Sequence, residues 1–142
     1  MTIDKILAAL PHRPPMLLVD EIVEQTADSI LCLKNFQDQE YFFQGHYPDF
    51  PLVPGVILCE CAVQAGAILL AERTSGTEGV PVLTRLNDVR FKRMVRPGET
   101  IQMTVKIEEI VSSAFYLSAK VACDGQNVVR FNFACSLAPK KD

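Results

Sequence analysis

The stretch from about Val56 to Glu72 reads VILCECAVQAGAILLAE and is apolar around nearly its whole circumference. A helix on the surface of a soluble protein shows one apolar stripe and one polar face, whereas a helix apolar all round must be enclosed. The rest of the chain therefore has to cover it. Between Val56 and Ala71 the only strongly polar side chains are Glu60 and Gln64, four residues apart. That spacing projects both from one side of a helix. A carboxylate in such surroundings is costly unless it is partnered or used, which makes Glu60 the first candidate functional group.

The cover is readable further along. Leu17–Val23 and Ser29–Phe36 read as strands around an Ala27-Asp28 turn, and Thr74–Val80 as a Gly/Thr/Ser loop. Val82–Phe91, Thr100–Val111, Ala114–Cys123 and Asn127–Leu137 read as four more strands. Pro97-Gly98 marks a turn, and Asp124-Gly125 is a strong hairpin signal between the last two strands. Gln102 to Ile107 alternates polar and apolar residues, as a sheet with one buried face requires. Ile3, Ile6, Leu7 and Leu10 predict a short amphipathic helix ending at Pro11. No repeat or linker divides the 142 residues, so a single domain over 1–142 is expected. The fold class is α+β: an antiparallel sheet wrapped on a long central helix, with a second subunit helping to hide that helix.

Bulk properties narrow the function. A formal charge of −3 gives no reason to expect nucleic acid as a partner. The five cysteines (Cys32, Cys59, Cys61, Cys123 and Cys135) are odd in number and form no CxxC pair. Reduced thiols in a cytosolic protein are expected. No basic segment followed by an apolar one opens the chain, and the run Ala62–Ala71 is too short to span a bilayer, so a soluble protein is expected. His12 and His46 lie far apart with no cluster of thiols or carboxylates at ligand spacing, and no glycine-rich phosphate loop is present. No metal or other cofactor is expected.

The segment Gly45-His46-Tyr47-Pro48 leads through Pro54-Gly55 into the helix. Histidine titrates near neutrality and can act as a base; Gly45 and Pro48 suggest a constrained loop that would hold the ring. Gly55 opens the helix, leaving a bare backbone N–H at the positive end of the helix dipole, an oxyanion site in outline. Glu60, flanked by Ile57, Cys61 and Val63, is expected to be desolvated, which favours its protonated form. A carboxylic acid kept neutral can donate to a leaving group. A base, an acid and an oxyanion site together suit removal of a proton beside a carbonyl coupled to loss of a β-hydroxyl. Gln64 has two readings: it orients the His46 loop, or it satisfies a buried backbone group. A lone loop histidine or helix glutamate is commonplace. The pair, joined by Pro-Gly against an apolar helix, is not.

Three segments carry a family resemblance: Leu10-Pro11-His12-Arg13-Pro14-Pro15-Met16-Leu17-Leu18-Val19-Asp20, then Phe43 to Pro48 with Pro54-Gly55-Val56, and Asp88 to Glu99. In order and spacing the chain resembles the FabZ-type β-hydroxyacyl-acyl-carrier-protein dehydratases of bacterial fatty acid synthesis, which have the hotdog fold. The resemblance implies conversion of (3R)-3-hydroxyacyl-acyl-carrier-protein to the trans-2-enoyl product. In it His46 would take the C2 proton, Glu60 would assist departure of the C3 hydroxyl, and the Gly55 N–H would hold the thioester oxygen. His46 and Glu60 of one site would come from different subunits of a homodimer, and dimers of the family often assemble into hexamers. The acyl chain would lie in a tunnel beside the central helix.

The chain departs from the family at Pro14 (usually Tyr) and Met94 (commonly Pro), and no aromatic gate stands near Val80–Leu83. Arg85, Arg90, Lys92, Arg93 and Arg96 form a basic cluster. The resemblance implies that Arg90, Lys92, Arg93 and Arg96 belong to a docking surface for acidic carrier protein with its phosphopantetheine-linked substrate; a solvated strand edge using charge against aggregation is the plainer reading. His12 and Arg13 read as structural, fixing a loop near the tunnel mouth. A hotdog thioesterase or hydratase acting on coenzyme A thioesters, and a non-catalytic acyl-binding subunit, are the alternatives.

Overall fold

The computed structural model describes residues 2–47, 49–74, 76 and 79–138, so Pro48 and part of the Thr74–Val80 loop lie outside the described residues. The elements are α1 (Thr2–Ala9), β1 (Glu21–Gln25), β2 (Ser29–Asn35), a 3₁₀ turn (Tyr41–Phe43), α2 (Gly55–Thr74), β3 (Val80–Phe91), β4 (Thr100–Val111), β5 (Ala114–Cys123) and β6 (Gln126–Ala138). The strands form one antiparallel sheet in the order β1-β2-β4-β5-β6-β3. Strict alternation in β5 turns Phe115, Leu117, Ala119, Val121 and Cys123 inward, where with Ile101, Met103 and Val105 of β4 they cover α2. The two-residue turn Asp124-Gly125 closes the last hairpin with both residues at positive φ, 51° and 76°, the geometry that matches strand twist.

Two expectations change. The first strand begins at Glu21, not at Leu17. Leu18 and Val19 are buried, but the Leu18 N–H donates to the Gln64 side chain at 2.8 Å, so this segment is strapped to α2 and cannot join a strand. The central helix is also longer than the apolar run suggested. At twenty residues it could cross a bilayer by length and composition, yet 56% of its most apolar window is buried inside the domain. It is a core helix, as an enclosing sheet requires.

Close helix–sheet contact depends on Gly66. A Cβ there would lie 2.8 Å from the Phe133 ring and 3.4 Å from Val105. The cysteines fill similar space: all five are free and buried. Burial pushes the thiols of Cys59 and Cys135 up to about 11 and that of Cys32 up to about 12, so they behave as small apolar side chains.

One edge remains open. Among the described residues β3 pairs only with β6, and its Val82, Leu83, Leu86 and Phe91 are exposed. A long apolar edge strand is a template for another chain.

Overpacking at the helix–sheet contact is measurable. Gly66→Val should lower unfolding free energy by about 1–3 kcal/mol in chemical denaturation, and Phe133→Leu should restore part of the loss.

Candidate active site

Val53 and Pro54 lead into α2, and the 3₁₀ turn Tyr41–Phe43 comes just before His46. Its Nδ1 lies 3.1 Å from the Leu52 carbonyl oxygen. A carbonyl can only accept, so Nδ1 carries a proton, and in the neutral ring the lone pair is then on Nε2. The ring leans on Tyr47 at 4.6 Å between centroids. Tyr47 has φ of 56°, a left-handed conformation costing a non-glycine residue roughly 1–2 kcal/mol. Such strain persists only where the surroundings enforce it.

Helix α2 begins at Gly55, and the Pro54 carbonyl accepts from the N–H groups of Ile57 and Leu58. The Gly55 N–H has no acceptor among the described residues. A Cβ at Gly55 would strike the Phe91 ring at 2.8 Å, so glycine lets β3 close over the helix start. His46 and Gly55 line one cavity of about 630 Å³ together with Leu52, Leu58, Phe91 and Lys92.

Glu60 stands elsewhere. Five residues beyond Gly55, it is about 7.5 Å along the axis and roughly 140° around it. It does not line the His46 cavity. Its Oε2 accepts from Gln64 Nε2 at 2.9 Å, and His12 Nε2 approaches the same oxygen at 3.8 Å. The expected enclosure is incomplete in one chain, where the Glu60 side chain is 28% exposed. Gln64 is only 1% exposed and donates to the Met16 carbonyl at 2.8 Å while accepting from Leu18. It therefore satisfies buried backbone groups and holds Glu60; its recorded partners are not on the His46 loop. Arg13 donates to the carbonyls of Leu7, Leu10 and His12, closing the end of α1 as expected of a structural residue. The neighbourhood of His12 and Glu60 escaped sequence reasoning, because the two are distant in the chain. His12 also lines a cavity of about 690 Å³ running past Ala67 and Ala71 between α1 and α2.

The basic cluster divides. Arg90 and Lys92 share a face, as strand geometry requires, and line a concavity of about 360 Å³. Arg130 joins them there, directly opposite Arg90 across the β3–β6 pair, a neighbour visible only once the register is known. Arg96 packs over the Phe50 ring at 4.9 Å. Arg93 is engaged inward: it pairs with both Glu99 oxygens, at 2.7 and 3.3 Å, and donates to Gln126. Its guanidinium holds the Glu99 carboxyl below its ordinary range, against a smaller opposing effect of burial. Glu99, Cys123 and Asp124 cluster at ligand-like distances, but Arg93 reaches both carboxylates.

A curved antiparallel sheet on one buried helix, with a histidine loop at the helix start, defines a hotdog-fold domain. The FabA-like domain model matches residues 10–132. The 3-hydroxyacyl-acyl-carrier-protein dehydratase FabZ of Clostridium perfringens is 39% identical over 132 residues, 89% of this chain and 95% of that protein. FabZ of Syntrophobacter fumaroxidans is 37% identical over 142 residues, covering 99% and 97%. The chain belongs to the FabZ-type dehydratase family. Among solved structures, the dehydratase heterocomplex ApeI:P from Xenorhabdus doucetiae superposes with a TM-score of 0.81 at 15% identity, covering 99% of this chain and 93% of that one. A hypothetical thioesterase with coenzyme A from Streptococcus pneumoniae TIGR4 gives 0.64 at 9% identity, covering 86% and 90%. At such identities both likenesses concern the fold alone.

Because Arg93 depresses the Glu99 carboxyl in the folded state, the pair's stabilisation is present at neutral pH and fades as pH falls through the acid range. Arg93→Met should cost about 1–2 kcal/mol at pH 7, with the wild-type and variant unfolding curves converging as pH falls below the ordinary carboxylate range.

Proposed function

We propose that this protein dehydrates 3-hydroxyacyl thioesters of acyl carrier protein, with His46 as base, Glu60 as acid and the Gly55 N–H as oxyanion donor. The observation that carries the residue roles is the cavity shared by His46 and Gly55. There the spent Nδ1 leaves Nε2 as the base, beside an unbonded N–H at a helix start. His46 Nε2 takes the C2 proton. The C–H electron pair becomes the C2–C3 double bond as the C3–O bond breaks, and Glu60 protonates the departing oxygen, which leaves as water. Negative charge developing on the thioester oxygen is met by the Gly55 N–H and the helix dipole. The family's named activity supports the substrate class.

Within one chain Glu60 does not line the His46 cavity and faces His12 instead. The partner subunit's Glu60 completes each site in this reading, and the open edge of β3 with its exposed apolar residues supports a homodimer built there. Trimers of such dimers are the larger assembly the family suggests. The cavity past Ala67 and Ala71 has a volume in the range of small-molecule sites, roughly 300–1,000 Å³, and receives the acyl chain. One domain spans 1–142, and the five free thiols support a reducing, cytosolic compartment. The carrier protein docks on Arg90, Lys92 and Arg130, with Arg96 at the rim.

Mass spectrometry of 3-hydroxyacyl-carrier-protein incubated with enzyme tests the reaction. Wild type should yield a product lighter by one water, and His46→Ala and Glu60→Gln should each lower kcat by about a hundred- to ten-thousand-fold. Release of free acid in place of the enoyl thioester would sink the proposal.

Docking is tested separately. Arg90→Glu with Arg130→Glu should raise KM for carrier-protein substrate about tenfold, ~1.4 kcal/mol, and leave a pantetheine-linked substrate unaffected. Lys92 is left intact because it also lines the His46 cavity. Equal effects on both substrates would remove the docking assignment.

A further inference from the structure

Glu60 presents two unequal oxygens. Both of its side-chain neighbours, Gln64 Nε2 at 2.9 Å and His12 Nε2 at 3.8 Å, address Oε2. Oε1 has no hydrogen-bond partner among the described residues. The orientation of Gln64 is settled: its Oε1 accepts from the Leu18 N–H, so its amide nitrogen must face the Met16 carbonyl and Glu60.

His12 is held just as firmly. Arg13 bonds three carbonyls of the surrounding backbone, at 2.8 Å to Leu10, 2.7 Å to His12 itself and 3.1 Å to Leu7. The His12 Nδ1 is buried without a partner among the described residues. A buried orphan N–H is rarer than an under-satisfied acceptor, so the proton belongs on Nε2, the atom turned towards Glu60. At 3.8 Å that contact is longer than a hydrogen bond. Links of this kind commonly tighten when substrate closes a site. A residue that only shaped the loop would need no ring nitrogen beside the acid.

We propose that His12 is a positioning residue for Glu60: with Gln64 it holds Oε2 in place, so that Oε1 carries the proton delivered to the departing hydroxyl. The inference rests on the dehydratase reading. It extends the active machinery to the loop after α1, and gives that loop's histidine a role separate from that of its arginine.

The test is a double-mutant cycle on the full-length enzyme in its native assembly, with 3-hydroxyacyl-carrier-protein as substrate. His12→Phe should lower kcat about 10–100-fold with KM within about twofold, and should lower it less than about twofold in a Glu60→Gln background. His12→Gln, which keeps a donor, should recover part of the loss. Independent losses that multiply in the double variant, or a loss confined to KM, overturn the positioning role. If His12→Phe does not fold, the His12→Gln and Glu60→Gln cycle is read by the same criterion. An active wild type with additive variants removes His12 alone, whereas a wild type unable to dehydrate removes the underlying reading.

Discussion

Gln64 is the interaction on which the site's geometry hangs. It is almost completely buried in the middle of α2, where an unsatisfied amide would cost about 1–3 kcal/mol. Every strong partner it has is accounted for: the Leu18 N–H, the Met16 carbonyl and the Glu60 carboxylate. One side chain therefore does three things at once. It straps the segment before β1 to the helix, keeps that segment out of the sheet, and delivers a donor to the Glu60 carboxyl one turn away. An apolar residue of the same size would fill the space but leave the Met16–Leu18 backbone unmet and Glu60 free to turn.

Much of this was legible from the chain. The helix with no polar face demanded a cover, and the alternation of Gln102 to Ile107, kept in the first half of β4, pointed to a sheet as that cover. The Asp124-Gly125 turn and the Pro-Gly junction into α2 were chemically explicit. Histidine, glycine and glutamate stood out because each is expensive or unusual where it lies. What escaped were relations between distant segments. The neighbourhood of His12 with Glu60, and of Arg130 with Arg90, follows from strapping and register, neither of which leaves a periodic trace. Leu18 and Val19 looked like strand because burial and pairing produce the same apolar run. Only the hydrogen-bond partner of Leu18 distinguishes them. The Arg93–Glu99 pair could have been found, since the two flank Pro97-Gly98, a turn that folds one back on the other.

The helix also divides the chemistry. Its first turn faces the His46 cavity and Glu60 faces His12 and the Met16–Leu18 segment, so a single chain holds His46 and the Gly55 N–H on one side of the helix and Glu60 on another. Helical rotation forces this: residues 55 and 60 cannot share a face. The same chain leaves the β3 edge and the apolar rim at Val56, Phe91 and Met94 uncovered. The separation of His46 from Glu60 and the open edge are both features that a second copy of the chain, as proposed above, would address together.

Charge placement on the outer sheet face follows a different logic from the interior. Inside, Lys34 is nearly buried and is matched by Glu40 at 2.9 Å and Asp20 at 3.8 Å, while Arg93 is matched by Glu99. Outside, Arg90, Arg130 and Lys120 lie directly opposite one another across three adjacent strands, with no ion pair among the described residues. Like charges in register cost stability, and the chain as a whole carries a net charge of −3. A fold that pairs Lys34 and Arg93 yet aligns three exposed cations against each other concentrates positive potential on a single strip. Lys92 extends that strip, lining both the concavity beside it and the cavity of His46. The repulsion within the strip is reduced by salt or by an anion lying along it, and Lys92 carries the positive strip to the edge of the His46 cavity.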